Sequence, residues 1–134
     1  MRSSLAFLAL VWLATSAQAE PSWSPFAEAD VVRIVTHDED GTERDTPVWF
    51  VVVNGAGFVR TNDSRWLANL RRGSSVALRL DETERAVTSE EVSDAAVTGA
   101  VEEAFKEKYG WFQRLMSTFR MREPTVLRLR EKTP

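Results

Sequence analysis

The sequence predicts one α+β domain, a small barrel of about six mostly antiparallel strands with one short and one long helical segment. Three observations predict this fold. Short β-rich segments follow one another through polar turns, helical periodicity occurs only twice, and strands and helices do not alternate as they do in parallel α/β folds. The length of 134 residues is that of one domain.

The first 19 residues have the features of a secretory signal peptide. Arg2 provides a positively charged start, residues 5–14 are apolar, and Ala17-Gln18-Ala19 is a small-x-small cleavage site. We therefore expect a secreted or periplasmic mature protein that begins at Glu20. No later apolar run approaches the roughly 18 residues needed to cross a bilayer, so no stable membrane span is expected after cleavage.

The composition excludes several classes of function. The chain contains no cysteine, which removes disulfides, thiolate metal sites and cysteine nucleophiles. Its formal charge is −3, and without Arg2 the mature chain has 16 basic against 20 acidic residues. An acidic chain of this kind is not a general nucleic-acid binder.

The first predicted elements are an arm and a hairpin. Residues 20–29 combine two prolines with two aromatic residues, so we treat them as an N-terminal arm, a linker whose aromatic side chains dock on the barrel domain, residues 30–131. Residues 30–36 are a β-branched strand. Residues 37–45 form an acidic hairpin loop around the Asp40-Gly41 turn.

The next predicted pair of strands is strongly apolar. Residues 46–54 are almost continuously apolar and β-branched, which is typical of a strand covered on both faces near the centre of a sheet. Pro47 lies at its start, where a missing N–H does least harm. Residues 54–57 form a tight turn, and residues 58–61 are the returning strand.

A change of period marks the short helix. Asp63 and Ser64 cap a helix over residues 65–72, and Gly73 ends it. The alternation of apolar and polar residues over 75–81 then predicts a half-buried strand.

Residues 85–92 support two interpretations. They are β-branched enough for a strand, but Thr88-Ser89-Glu90-Glu91 also fits a capping box that would begin a helix. We prefer the strand, with the helix N-cap at Ser93 or Asp94. A long helix follows to about residue 108, Gly110 interrupts it, and residues 125–130 alternate as a closing strand.

A basic cluster lies within residues 58–79. Five arginines stand there against one acid, Asp63. The segment from Arg60 to Arg65 puts guanidinium and hydroxyl groups into one strand-to-helix turn, which suits a phosphate group. The alternative interpretation is structural, with Ser64 as a helix cap, Asn62 in the turn and solvated arginines.

Four segments, in this order and spacing, carry a resemblance to a known family: Thr46-Pro47-Val48-Trp49-Phe50; residues 58–66 through Asn69-Leu70; Val76-Ala77-Leu78; and Val92-Ser93-Asp94 leading to residues 105–110. They resemble the split β-barrel proteins of the pyridoxamine-phosphate-oxidase-like superfamily. The resemblance is greatest to its uncharacterised members of the domain-of-unknown-function 2255 type and, more distantly, to its deazaflavin-dependent nitroreductase branch. It covers roughly residues 30–130.

The resemblance implies a small split β-barrel that binds FMN or a deazaflavin, as an oxidoreductase of unknown substrate. It also implies a homodimer, because barrels of this type place cofactors between subunits. The implied cofactor-binding residues are Thr46, Pro47, Arg60, Thr61, Asn62, Ser64, Arg65 and Trp66. No catalytic residue is assigned.

One departure from the family favours a different class of function. Trp66 stands where flavin-binding relatives commonly carry a lysine that grips the phosphate, and it offers an indole N–H without a charge. A non-catalytic periplasmic binding or interaction module that has lost the cofactor is therefore the alternative. Heme binding through His37, the sole histidine, is the third hypothesis, and the absence of a second histidine argues against a metal site.

The aromatic residues have two interpretations as well. Three tryptophans are expected either to line a pocket for a flavin ring or to belong to the core of a small domain: Trp49, Trp66 and Trp111. Tyr109, the only tyrosine, is expected as the half-buried tip of a helix.

Overall fold

The computed structural model describes residues 22–118 and 124–133, so the predicted signal peptide lies outside the described residues. Within these residues the strands are β1 (Val32–His37), β2 (Glu43–Val48), β3 (Val51–Val53), β4 (Ala56–Thr61), β5 (Val76–Leu80), β6 (Thr83–Val92) and β7 (Thr125–Glu131). The helices are α1 (Arg65–Arg71) and α2 (Ala95–Thr118), and one 3₁₀ turn (Phe26–Glu28) precedes β1.

The strands form one sheet whose two edges approach each other. Their order is β2-β1-β5-β6-β7-β4-β3, and every neighbouring pair is antiparallel. β2 and β3 lie at opposite ends of this order, yet only Trp49 and Phe50 separate them in the chain. Because three Cα steps span at most about 11 Å, the sheet must curl to bring its edges together. The predicted α+β barrel is confirmed.

The prediction of one central strand over residues 46–54 is wrong. The chain breaks at Trp49 and Phe50 into two strands at the sheet edges, which is why the described barrel has seven strands rather than about six. The run is apolar on both faces because each face has a different partner. Phe50 packs in the barrel interior, whereas Val51 packs with Phe105 of α2.

The edge position of β2 explains how the strand accommodates proline. Pro47 lies inside β2, opposite Arg33 of β1, and not at the start of a strand. An edge strand has one row of N–H groups without a neighbouring strand, so a missing N–H is tolerated there. The second hairpin is also tighter than predicted, because only Asn54 (φ 50°) and Gly55 (φ 79°) form its turn.

The other predicted elements are confirmed within a few residues. Residues 85–92 are a strand, since β6 pairs with β7 from Val87 to Val92 and leaves no room for the alternative helix. Asp94 is the N-cap of α2, because its Oδ1 accepts a hydrogen bond from the Val97 N–H at 3.0 Å. α2 is interrupted at Gly110, whose φ of 58° and ψ of −137° are not helical.

Two groups of buried side chains hold these elements. The inner core fills the barrel and includes Ile34, Phe50, Val59, Leu67, Leu78, Leu127 and Leu129. The outer core lies between α2 and the outside of the barrel and includes Val51, Phe58, Val101, Phe105 and Val126. None of the helices in the described stretches is long and apolar enough to cross a membrane.

The described part of the N-terminal arm belongs to the inner core. Trp23 and Phe26 are buried, and the Trp23 indole N–H donates a hydrogen bond to the Gly55 carbonyl at 2.9 Å. The Arg85 guanidinium donates hydrogen bonds to the carbonyls of Ser22 and Ser24 at 2.7 and 3.2 Å. The aromatic residues therefore dock as expected, and residues 22–29 pack as part of the barrel rather than as a linker.

Candidate functional site

One pocket of about 660 Å³, here called the main pocket, lies where β2, the end of β4 and the start of α1 meet. The eight residues assigned to a cofactor from the sequence all line it: Thr46, Pro47, Arg60, Thr61, Asn62, Ser64, Arg65 and Trp66. Residues separated by up to twenty positions in the chain are thus neighbours around one cavity.

The turn from β4 to α1 follows from local sequence. β4 ends at Thr61, and the Ser64 hydroxyl accepts a hydrogen bond from the Leu67 N–H at 3.3 Å, which fixes the first turn of α1. Arg65 is the first residue of the helix and is exposed. Trp66 is only 3% exposed and packs in the inner core, so it also anchors α1 on the barrel.

Sequence reasoning missed three residues of the main pocket: Val31, Arg44 and Val48. Arg44 was assigned to the hairpin loop, but β2 already begins at Glu43. Side chains two residues apart on a strand point to the same face, so Arg44 accompanies Thr46. If the strand is taken to begin at Glu43, the alternation of side chains along it places Arg44 on the same face as Thr46, and this is the signal that could have found Arg44.

A hydrogen-bonded network holds Arg44 at the pocket. The Asp38 carboxylate accepts hydrogen bonds from Arg44 Nε and Nη2 at 2.8 and 2.9 Å, and from Asn69 Nδ2 at 2.8 Å. Asn69 is buried in α1 and also donates to the Thr36 hydroxyl at 3.0 Å. The Arg44 guanidinium lowers the pKa of Asp38 to about 2, so this carboxylate stays ionised.

Arg60 is the most enclosed guanidinium of the main pocket. Its side chain is 10% exposed, its Nη1 lies 3.6 Å from Oε2 of Glu102, and its Cζ lies 4.1 Å from the centre of the Phe105 ring. Both contacts come from α2. The helix on the outside of the barrel therefore supports one of the positive charges that line the pocket.

The last turn of α2 before Gly110 contacts the break between β2 and β3. The Tyr109 hydroxyl accepts a hydrogen bond from the Phe50 N–H at 3.1 Å and donates one to the Asp30 carbonyl at 2.8 Å. Lys108 Nζ donates to the Phe50 carbonyl at 2.6 Å. Burial raises the pKa of Tyr109 and lowers the pKa of Lys108. Tyr109 is half-buried as predicted, and its hydroxyl is engaged in the fold.

The remaining candidates lie elsewhere. His37 is exposed, its Nδ1 is 3.5 Å from the Ser75 hydroxyl, and it does not line the main pocket. Across residues 22–118 and 124–133, no three His, Cys, Asp or Glu side chains are grouped to hold a metal ion. Trp49 lines the main pocket and Trp66 belongs to both pocket and core, while the Trp111 side chain is outside the described residues.

The residues present fit a flavin-type group. A volume of about 660 Å³ falls within the range of about 300–1,000 Å³ typical of small-molecule sites. Arg60 and Arg65 supply the charge that a phosphate ester needs, Thr61 and Ser64 supply hydroxyls, and Trp49 supplies an aromatic surface.

Comparisons with known proteins agree with this fold. The chain matches the model of one family, "Uncharacterized protein conserved in bacteria (DUF2255)", over residues 24–129. No curated protein matches the chain in sequence. Among solved structures it is similar to HutZ, the heme storage protein from Vibrio cholerae, with a TM-score of 0.64 and 17% identity over 81% of this chain and 87% of HutZ.

Two further structures use the same architecture. An F420-H2 dependent reductase has a TM-score of 0.56 and 17% identity over 75% of this chain and 94% of its own. An FAD-binding protein from Mesorhizobium loti has a TM-score of 0.57 and 10% identity over 81% of this chain and 85% of its own. Structures described as putative pyridoxamine 5'-phosphate oxidases share this architecture as well, so the resemblance to the pyridoxamine-phosphate-oxidase-like split barrels is confirmed at the level of the fold.

Proposed function

Since the chain belongs to the DUF2255 family of bacterial proteins, we propose that it is an exported split-barrel protein that binds a flavin- or deazaflavin-type cofactor in the main pocket. One observation carries the proposal. Eight residues that the family resemblance assigns to a cofactor converge on a single cavity of suitable size. Similar structures include a reductase named for F420-H2 and a protein named for FAD binding, which supports a cofactor of this class.

Each part of the pocket has a role in this proposal. Arg60 and Arg65 hold the phosphate through charge-assisted hydrogen bonds, with Ser64 and Thr61 as hydroxyl partners. Trp49 provides an apolar surface for the ring. When bound, the cofactor would supply the redox chemistry, and the protein would supply binding and orientation.

Export and dimerisation are part of the same proposal. The signal-like residues 1–19 support export to the periplasm or beyond. Val31 supports a homodimer, because this apolar side chain is 45% exposed and lies on the rim of the main pocket. A second subunit placed there would cover Val31 and close the cavity.

A second candidate function rests on Trp66. A residue that is 3% exposed and carries no charge cannot replace the phosphate-gripping lysine of flavin-binding relatives. This observation favours a non-catalytic periplasmic module that keeps the barrel and has lost the cofactor. The similar fold of HutZ, a heme storage protein, supports heme as the third hypothesis, but His37 lies outside the main pocket and is not placed to ligate a group bound there.

The test begins with the visible absorbance spectrum of the mature protein, from Glu20, purified from its native compartment. Titration with FMN and with a reduced deazaflavin follows. We expect Arg65→Ala to weaken FMN binding at least tenfold, since a charge-assisted hydrogen bond contributes about 1.5–3 kcal/mol. Arg71→Ala is the matched control, because Arg71 is on the same helix, is exposed and does not line the main pocket.

The outcomes separate the two candidates. A bound chromophore, or FMN binding that Arg65→Ala weakens and Arg71→Ala does not, supports the cofactor-binding protein. A colourless wild-type protein that binds neither compound favours the module without a cofactor. Equal affinities in wild type and Arg65→Ala would contradict the assignment of the phosphate to this turn.

A further inference from the structure

A second cavity, here called the outer pocket, lies on the outside of the barrel beside the first half of α2. Its volume is about 390 Å³, within the range of about 300–1,000 Å³ typical of small-molecule sites. It shares no lining residue with the main pocket, so the two cavities are separate. Most of its lining is apolar: Val53, Ala56, Phe58, Ala96, Val97 and Ala100.

The pairing of three strands builds the floor of the outer pocket. Val53 of β3 pairs with Ala56 of β4, and Phe58 of β4 pairs with Arg128 of β7. Because side chains two residues apart on a strand point to the same face, Ala56 accompanies Phe58 and Arg130 accompanies Arg128. One face of the sheet therefore carries an apolar strip that borders on two arginines.

The outer pocket exists because α2 covers this face only in part. Val101 and Phe105 fill the outer core farther along the helix. The preceding turns contribute Ala96 and Ala100, which line the outer pocket and are exposed. Since close packing needs side chains long enough to span the gap between a helix and a sheet, two alanines leave a cavity there.

The two arginines of the outer pocket differ in their partners. Arg128 forms an ion pair with Glu90 of β6, and its Cζ lies 5.7 Å from the centre of the Phe58 ring. Arg130 is exposed and forms no ion pair within residues 22–118 and 124–133. No Asp or Glu lines the cavity. The outer pocket therefore combines an apolar floor with one positive charge that no carboxylate of its lining compensates.

We propose that the outer pocket binds a carboxylate with an apolar body, of the class of a medium-chain fatty acid. Arg130 holds the carboxylate through two parallel N–H···O hydrogen bonds, and the hydrocarbon lies on the apolar floor. One unpaired guanidinium matches one negative charge, which favours a carboxylate over a phosphate monoester with its charge of about −1.5 to −2. This site lies outside the main pocket and goes beyond the proposed function.

The test is an NMR titration of the ¹⁵N-labelled mature chain with octanoate. The amides of Ala56, Ala96 and Ala100 report on the outer pocket, and the amide of Ser64 reports on the main pocket. Two further compounds separate the parts of the ligand. Octan-1-ol has the hydrocarbon chain without the charge, and acetate has the charge without the chain.

We expect saturable shifts at the outer pocket with octanoate, and at least about tenfold weaker binding of octan-1-ol. Affinity should rise from acetate to octanoate by up to about fourfold for each added methylene group that the cavity buries. Such a dependence on chain length is the signature of an apolar floor rather than of a surface charge alone.

Two variants test the residues that carry the site. Arg130→Gln should weaken octanoate binding about tenfold and leave octan-1-ol unchanged, because it removes only the charge-assisted contact. Lys132→Gln is the matched control, since it removes an exposed positive charge two residues farther along that does not line the outer pocket. Ala100→Leu should fill the cavity and abolish binding of both compounds. If Ala100→Leu disturbs α2, the exposed Arg130 position decides the question.

Several results would overturn the inference. Equal affinities for octanoate and octan-1-ol, or octanoate binding that Arg130→Gln leaves unchanged, would exclude the charged contact. Octanoate shifts centred on Ser64 would place the ligand in the main pocket instead. Shifts at Ala96 and Ala100 that follow the protein concentration and not octanoate would mean that a second copy of the chain covers this face. The absence of any saturable shift would show that the cavity binds no such ligand.

Discussion

Gly57 shows how one residue without a side chain shapes the wall beside the main pocket. A Cβ on Gly57 would lie 2.6 Å from the Phe50 ring and 3.4 Å from the Trp23 ring. The first distance is shorter than carbon atoms tolerate, so only glycine lets Phe50 fill the inner core at this point. Phe50 follows Trp49 directly, and its packing therefore helps to fix the pocket wall.

Asp38 is the residue whose ionisation matters most for the network behind the pocket. It accepts hydrogen bonds from Arg44 and Asn69, and the Arg44 guanidinium lowers its pKa from 3.8 to about 2. A carboxyl whose pKa is lower in the folded chain stabilises the fold above the ordinary pKa. That contribution is lost as the pH falls from about 4 through about 2.

We therefore expect Asp38→Asn to remove part of the acid sensitivity of the fold. The free energy of unfolding of wild type, measured with urea, should fall more steeply between pH 4 and pH 2 than that of the variant. Glu82→Gln, in the exposed turn between β5 and β6, is the control and should keep the wild-type slope. Identical slopes for wild type and Asp38→Asn would show that this carboxylate does not stabilise the fold.

At the scale of the element, the residues that begin α1 also line the main pocket. Ser64 caps the helix through the Leu67 N–H, and the same residue lines the main pocket beside Arg65. The structural and the phosphate-binding interpretations of this turn are therefore compatible. A hydroxyl can complete the first turn of the helix and still face a ligand with its remaining hydrogen-bonding capacity.

Two substitutions of Ser64 separate these roles. Ser64→Ala should lower the free energy of unfolding by about 1 kcal/mol, because the helix loses its cap. Ser64→Asp keeps a capping oxygen and should retain most of the stability, but its charge in the pocket should abolish FMN binding. Chemical denaturation and FMN titration measure the two effects. FMN binding by Ser64→Asp at wild-type affinity would exclude a phosphate from this turn.

α2 contributes more to the site than its sequence indicates. Its apolar periodicity predicts a helix lying on a core, and Val101 and Phe105 do pack in the outer core. The hydrogen bonds of Lys108 and Tyr109 to the break between β2 and β3 are a separate feature. They depend on where the helix ends over the barrel, which periodicity does not specify.

At the scale of the whole molecule, the arm and the curled sheet form one unit. Phe26 is fully buried in the inner core although it precedes the first strand by several residues. The guanidinium of Arg85 lies 5.1 Å from the Phe26 ring and also binds the arm carbonyls. The barrel is therefore closed partly by residues that composition alone assigned to a linker.

Phe26→Ala should lower the free energy of unfolding by about 3–5 kcal/mol, because it leaves a large cavity in the inner core. That is a large fraction of the stability of a small domain. Urea denaturation measures it, with Val52→Ala as the control, since the Val52 side chain on the edge strand β3 is exposed and should contribute within about 0.5 kcal/mol. A cost below about 1 kcal/mol for Phe26→Ala would mean that the arm does not support the barrel.

Much of the fold could be predicted because its signals are local. The cap at Ser64, the stop at Gly73, the alternation over β5 and the break at Gly110 each depend on a few neighbouring residues. The error over residues 46–54 has the opposite origin. A continuous apolar run shows that a strand is covered on both faces. It does not show whether the covering element on each face is another layer of the sheet or a helix.

The sequence by itself determined the α+β class and the family, because both depend on the order and spacing of segments along the chain. Through the family resemblance it also predicted eight residues that line the main pocket, and their role in binding a cofactor stays a prediction. Tertiary structure decided that Thr46 of β2 meets Arg60 of β4 across the curled edges of the sheet, and that Arg44 joins them. It also decided that Tyr109 supports Trp49. The physical reason is that contacts between distant segments depend on how the sheet curls and where α2 ends, and no local pattern of residues specifies either.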